Sequence, residues 1–301
     1  TNFEVLLVDD SSTDNSKSIL NDFANSDSRF KIFTKQNGGS VACSWNFIMP
    51  EIKGDFVFYS SQDDIFSVDL LEKMIKKQME TDADTVVPDM EFYYENTPNN
   101  EQIIGLNGNR EITLNGKQAC TESLHWNIHG FTLTRTSIVK QELFPEDAFD
   151  TDEFMTRKWF LHSNKVVFSE GIFYYRQDNS NAITKNFSKK NFYTLNTLNR
   201  LYWLLKENQF PKNYIVEIQY NVLLKYIHLS AIHQFHNFNS LSDKEEIKLF
   251  LIDFRKKLNY NLEHYAKLLN LKVTLLLIIC RFNLLYRLTT AFYVKKLRRN
   301  I

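Results

Sequence analysis

The 301-residue sequence is poor in cysteine, carries no net charge and has no apolar run long enough to cross a bilayer. Its three cysteines, Cys43, Cys120 and Cys280, form no CxxC pair. That spacing gives no disulfide framework; it suits buried small residues in a reducing compartment. Lys plus Arg and Asp plus Glu both total 36, so bulk charge names no partner and gives no ground for nucleic-acid binding. No secretory signal is visible. The first residue is Thr, so the chain reads as beginning inside a longer gene product. Val273–Cys280 (VTLLLIIC) is uncharged but far too short for a membrane span before Arg281. Neither a GxxxxGK[ST] loop nor a GxGxxG turn occurs, which removes the motifs of ATPases and dinucleotide enzymes. The seven His show no HExxH spacing, which argues against zinc. Internal repeats and low-complexity tracts are lacking as well.

What is present divides the chain in two, in keeping with a length that favours about two domains. Residues 3–8 (FEVLLV) and 55–60 (DFVFYS) are near-continuous apolar runs, the pattern of strands covered on both faces, and 84–88 (DTVVP) is a weaker third. They read as parallel strands. Residues 14–24 and 67–80 carry apolar side chains at helical spacing, each opened by Ser or Asp. Alternating strand and helix predicts a wound, mostly parallel α/β sheet flanked by helices. Residues 95–115 are turn-rich and read as an exposed loop or hairpin, while everything after about residue 188 looks helical.

Two acidic clusters end strands. Asp9 and Asp10 close the first run; Ser61, Gln62, Asp63 and Asp64 close the second. Ligands of open α/β sheets bind beyond the carboxyl ends of the strands, and hard carboxylate oxygens suit Mg²⁺ or Mn²⁺ shared with phosphate. The competing reading of each DD is a helix cap followed by a turn. A phosphorelay receiver domain also carries LLVDDSS-like acids, but its acceptor position would fall on Asn46, which cannot take a phosphoryl group.

Five segments in order, FEVLLVDDSSTDNS, QNGGSVACSWN, GDFVFYSSQDD with VDLLEKM, FPEDAFDTDEFMTRKWF and KVVFSEGIFYYRQDNSNAIT, resemble the motifs of family 2 glycosyltransferases with the GT-A fold. The resemblance covers roughly residues 1–187 and implies a nucleotide-sugar-binding catalytic domain there, with the family's first strand and helix lying before Thr1. Residues 188–301 would form a helical C-terminal region. It implies that Asp10, with Asp9 beside it, contacts the nucleotide base, and that Asn37, Gly38, Ser61, Asp64 and Arg176 help to hold the donor. Asp63 stands where the last carboxylate of the DxD motif binds a Mg²⁺ or Mn²⁺ ion and the sugar diphosphate. Asp152 falls at the family's catalytic base. Trp126, His129 and Gly130 lie at the floor of the acceptor site, with Glu153 beside it. Ser61 replaces the first Asp of DxD, and Trp45 replaces an Arg often found there.

The chemistry needs such groups. Breaking the anomeric carbon to phosphate bond builds negative charge on the diphosphate, which a divalent ion stabilises, while one carboxylate takes the acceptor proton. One base without a covalent nucleophile implies inversion. Several residues keep two readings: Asp150, Asp152 and Glu153 also make an ordinary acidic helix start, Trp126 also suits a core, His129 a structural role, and Arg176 a surface pairing with Asp178. Residues 273–301 read either as an interfacial helix on an anionic membrane surface or as a packed helix with a solvated basic end. Between Arg281 and Ile301 there are six Lys or Arg and no acid.

The resemblance thus predicts an inverting, metal-dependent transferase that moves sugar from a nucleotide-diphosphate sugar to a glycan or lipid-linked acceptor. Its setting would be capsule, O-antigen, lipopolysaccharide or similar surface glycan synthesis, peripheral on the cytoplasmic face of the inner membrane. The alternatives are a catalytically inactive sugar-nucleotide-binding or assembly module, and a nucleotidyltransferase, which lacks its expected Gly- and Lys-rich loop.

Overall fold

The computed structural model describes residues 2–96, 101–180, 182, 185, 187–259, 271–281 and 283–298. The chain forms two compact units, one of residues 1–146 with 151–185, the other of 147–150 with 186–301.

The first unit is the wound α/β part. Strand β1 (Val5–Asp9) passes through helix α1 (Ser16–Ser26) to β2 (Phe30–Thr34), which pairs parallel with it from Val5 and Phe30 to Asp9 and Thr34. Helix α2 (Val41–Ile48) follows, capped by the Ser40 hydroxyl, which accepts from the Cys43 amide. The main sheet has the order β3, β7, β5, β8, β4, with β6 added to β5. Its strands are β3 (Phe56–Phe58), β4 (Ile65–Phe66), β5 (Thr85–Tyr93), β6 (Gln102–Ile103), β7 (Leu133–Arg135) and β8 (Val166–Arg176).

This sheet is mixed, not mostly parallel. β5 and β8 run parallel, whereas β3 with β7, β7 with β5, β4 with β8 and β6 with β5 run antiparallel. The strands read from the apolar runs at 55–60 and 84–88, β3 and β5, do point the same way, since each runs antiparallel to β7 between them, and β4, β6 and β7 are the strands that run against them. The first two runs also lie in different ladders. Among the described residues β1 pairs only with β2 and β3 only with β7.

The third run extends well beyond 84–88. β5 continues for nine residues, with a register shift between Val87 and Asp89. Pro88 has no N–H for a ladder, so the irregularity sits where the sequence signal stopped. The expected loop or hairpin at 95–115 supplies β6, which pairs back on β5 through Met90 and Glu91; residues 97–100 of that segment lie outside the described residues.

Helix α3 (Leu70–Thr81) covers one face, burying Leu70 and Met74 against Ala83, Val86, Leu133 and Val167. The close approach needs Gly171, where a Cβ would stand 3.0 Å from the Leu70 Cα. Helix α4 (Gly116–Ser123) begins with a capping box between Asn115 and Gln118. It packs on α6 (Thr151–His162), which follows the short helix α5 (Thr136–Val139).

The second unit is all helical: α7 (Thr194–Glu207), α8 (Lys212–Ile232), α9 (Leu241–Asn259), α10 (Leu271–Arg281) and α11 (Asn283–Arg298). Its core holds Phe192, Leu205, Leu223, Tyr226, Phe254 and Cys280. Residues 147–150 belong to it through bonds from Asn196 to the Asp147 carbonyl at 2.6 Å and from the Thr194 hydroxyl to Asp150 at 3.1 Å. Among the described residues no helix is long and apolar enough to cross a membrane.

Candidate active site

The end of β1 places its two acids in different environments. Asp9 is 3% exposed and its carboxylate accepts from the Ser12 amide at 3.0 Å. In this turn, where Ser11 has φ 63°, hydrogen bonding from the Ser12 hydroxyl and then from its amide holds the Asp9 carboxyl below its usual range. Asp10 turns elsewhere: its Oδ1 accepts from the Lys35 ammonium at 2.5 Å and from the Gly38 amide at 3.1 Å. Asn37 is exposed and its side-chain oxygen accepts from the Gly39 amide at 2.8 Å, shaping the loop.

The end of β3 is a tight acidic turn. The Asp64 amide donates to the Ser61 carbonyl at 3.4 Å, while the Asp64 carboxylate accepts from the Ser61 and Arg176 amides at 3.3 and 3.4 Å. Burial, aided by the neighbouring Asp63 charge, pushes Asp64 up to about 6. Asp63 accepts from the Asn179 amide at 2.7 Å. Ser61 offers its hydroxyl 3.4 Å from the Tyr59 phenol. The Arg176 guanidinium is engaged by Asp178 at 2.7 Å and Glu95 at 3.4 Å, so the surface pairing is the one present here.

A cavity opens next to this turn, lined among others by Tyr59, Trp126, His129, Asp152, Glu153 and Arg157. Asp152 and Glu153 occupy the first turn of α6, where the helix dipole favours negative charge. Glu153 pairs with the buried Arg157 one turn on, and Arg157 also donates to the Ser123 carbonyl at 2.8 Å, tying α6 to the end of α4. Trp126 is 37% exposed with φ 58°, its ring stacked on Tyr175 at 6.4 Å and 24°.

His129 behaves differently from its sequence expectation as an acceptor-binding group. It is 2% exposed, with Nε2 2.8 Å from the Pro88 carbonyl and Nδ1 accepting from the Phe131 amide at 3.3 Å. Burial pushes its pKa down to about 4, so the ring is neutral and both nitrogens are used within the protein. It lines the cavity as a structural imidazole.

Two tyrosines join the strand end to the cavity. Burial first, then the charges of Asp152 and Asp64, push Tyr59 up to about 12. Burial and the charges of Asp64, Asp152, Glu153 and Asp63 likewise raise Tyr175. Acids separated by some ninety positions therefore act on the same phenols. Tyr59, Lys35, Arg157 and Asn179 were absent from the sequence-derived set. Only Arg157 had a readable signal there, its spacing of four from Glu153 on a helix.

Residues 1–143 match the family model described as glycosyl transferase family 2. Over that segment, just under half of the chain, the sequence is similar to family 2 glycosyltransferases. The glycosyltransferase GlyG of Streptococcus pneumoniae is 27% identical over 205 residues, covering 62% of this chain and 65% of GlyG. The minor teichoic acid biosynthesis protein GgaA of Bacillus subtilis is 25% identical over 280 residues, covering 86% of this chain and 59% of GgaA. The chain thus spans less than two thirds of either relative. The solved structure of S. aureus TarS residues 1–349 with UDP-GlcNAc superposes with a TM-score of 0.61 at 15% identity, over 99% of this chain and 83% of TarS. That likeness is one of fold.

Proposed function

We propose that the protein transfers a sugar, with inversion, from a nucleotide-diphosphate sugar to a hydroxyl of a glycan or lipid-linked acceptor during surface polysaccharide synthesis. The observation that carries this reading is the convergence of Asp63, Asp64, Asp152 and Glu153 on Tyr59 and Tyr175, beside a cavity faced by Trp126. Support comes also from the family match, the named roles of GlyG and GgaA, and the UDP-GlcNAc bound by TarS.

In this scheme Trp126 supplies an apolar face for an acceptor sugar ring, held flat by Tyr175 behind it. Asp152 takes the proton of the attacking hydroxyl as general base. Arg157 neutralises Glu153, so the two adjacent carboxylates do not repel each other fully. Tyr59 and Tyr175 stay protonated at neutral pH and donate hydrogen bonds.

A Mg²⁺ or Mn²⁺ ion fits Asp63. Among the described residues Asp63 has an amide partner but no Lys or Arg, whereas Asp10, Asp84 and Asp89 each have one. No group of three His, Cys, Asp or Glu among the described residues could cage an ion, so the ion would be held by Asp63, donor phosphates and water, as Mg²⁺ commonly is. When bound it would offset the charge gathering on the departing diphosphate. Ser61 would add a neutral oxygen. Arg176 is already neutralised by Asp178 and Glu95, so its sequence-derived part in gripping the donor would require it to leave them.

The exposed Leu275, Ile278, Leu285, Leu288 and Phe292 on α10 and α11, with the basic end of the sequence, support contact with an anionic membrane surface. Part of residues 273–301 lies outside the described residues.

The test is release of nucleoside diphosphate from labelled nucleotide sugars by the full-length protein, with and without Mn²⁺. Mn²⁺-dependent turnover that disappears in Asp63→Ala is expected. A protein that binds donors and never turns them over would instead be the inactive binding module.

A further inference from the structure

The proposed reaction gives Arg157 no task except to neutralise Glu153, yet its contacts reach further. The side chain is 7% exposed. Nη1 pairs with the Glu153 carboxylate and donates to the Glu153 carbonyl at 2.6 Å, while Nη2 donates to the Ser123 carbonyl at 2.8 Å. The same Ser123 carbonyl accepts from the Trp126 amide at 3.3 Å. One planar guanidinium therefore grips, on one side, the first turn of α6 that carries Asp152 and, on the other, the turn that presents Trp126. Arg157, Asp152 and Trp126 all line the one cavity.

Two costs converge on this link. Trp126 holds the left-handed backbone region at φ 58°, which is disfavoured for a bulky side chain. Arg157 Nε is buried without a hydrogen-bond partner among the described residues, and native structures keep few such groups. A contact kept for stability alone could be made by apolar packing at neither cost. Strain of this kind gathers instead at binding sites and ligand clamps. Gly130 belongs to the same arrangement: a Cβ there would stand 2.6 Å from Thr156 Oγ1 and 2.7 Å from its Cγ2. Its absence lets the loop after Trp126 lie against α6, one residue before Arg157.

We infer that Arg157 is a positioning residue for transfer, fixing the spacing between the Trp126 ring and the Asp152 carboxylate so that an acceptor sugar on the ring presents its hydroxyl to the base. That role rests on the transferase reading above and adds to it a residue that acts through the two walls of the cavity. Water attacking the donor needs Asp152 alone, whereas a sugar needs ring and base at a set separation, where a shift of about 1 Å is costly. Loss of Arg157 therefore costs transfer and spares hydrolysis. Lysine is no substitute, since an ammonium lacks the planar fork that reaches a carboxylate and two carbonyls at once.

The experiment uses the full-length protein with 5-fluorotryptophan at its four Trp positions, as wild type, Arg157→Met and Arg157→Lys. Fluorine NMR, acceptor-free hydrolysis of labelled nucleotide sugars with Mn²⁺, and transfer of the label to p-nitrophenyl glucosides, galactosides and N-acetylglucosaminides are read side by side. Trp126→Phe assigns the Trp126 resonance. Both Arg157 variants should shift or broaden that resonance and leave those of Trp45 and Trp203 in place. Transfer should fall about 10- to 100-fold while hydrolysis stays near the wild-type rate. Arg157→Lys keeps the charge opposite Glu153, so a poor fold in Arg157→Met leaves the test standing. An unmoved Trp126 resonance overturns the inference, as do hydrolysis that falls in step with transfer and transfer that returns in Arg157→Lys. Failure of the wild type to hydrolyse any nucleotide sugar would instead overturn the transferase reading and this role with it, and a moved resonance would then report a structural link alone.

Discussion

The strand ends at Asp9–Asp10 and Asp63–Asp64 look alike in sequence, two acids after an apolar run, yet they are built for different work. At β1 the first acid is consumed by its own turn through Ser12, and the second is matched to a lysine. At β3 the first acid meets a neutral amide, and the second is half-buried, accepts from the Ser61 and Arg176 backbone amides and has a pKa pushed up to about 6. One end is electrostatically settled; at the other, neither Asp63 nor Asp64 has a Lys or Arg side-chain partner among the described residues. A carboxylate pair short of positive charge has an unmet demand that a divalent ion and a diphosphate can answer together.

Removing the acids one at a time should separate the two ends. Asp63→Ala should give the largest effect, lowering donor turnover by about 100-fold or more and abolishing its Mn²⁺ dependence, with the unfolding temperature nearly unchanged. Steady-state rates across a Mn²⁺ titration check this. If Asp63→Ala instead unfolded the protein and Asp9→Ala removed turnover, the roles assigned to the two ends would be reversed.

Asp9→Ala should act on the fold. It leaves the Ser12 amide without its acceptor and should lower the unfolding temperature by about 2–4 °C while nucleotide affinity holds. Because the Asp9 carboxyl lies below its usual range in the folded protein, its contribution is present above the unfolded pKa and fades as pH falls. The gap between wild type and Asp9→Ala should therefore close in acid, as read by thermal melts across a pH series.

Asp64→Asn should have the smallest effect and the opposite sign. The folded protein holds the Asp64 proton more tightly than the unfolded chain, so its stabilising influence is full below about pH 4 and is lost as pH rises through about 6. The variant keeps an oxygen for the Ser61 or Arg176 amide and sheds the buried charge. At pH 7.5 it should be more stable than wild type by about 1 kcal/mol after screening. Denaturant midpoints at pH 4 and pH 7.5 would show whether the advantage vanishes at the lower value.

The comparison also marks what a sequence can carry. The apolar runs ending in acids located both strand ends, and helical spacing put α1 and α3 close to their observed limits, because each signal is local. The insertion of antiparallel β7 between β3 and β5 and the split of β1 from the main sheet depend on which strands meet in space, and periodicity is silent on that. β5 was cut short at Pro88, the residue at which its ladder shifts register. In the cavity, Asp152 and Glu153 were legible as acids opening a helix. The burial of His129 against the Pro88 carbonyl was not, since it joins residues 41 apart. Lys35 escaped notice for a similar reason. It is one lysine in a polar loop until the fold sets it on Asp10, 25 positions earlier.

The central claim is that the Asp63 end binds donor while Asp152 does the chemistry on the acceptor. Single-turnover transfer by the full-length protein, measured for wild type and Asp152→Asn with donor affinity determined in parallel, tests it most directly. The account predicts a fall of about 10²- to 10⁴-fold in the chemical step with donor affinity unchanged. Wild-type turnover in Asp152→Asn would contradict it.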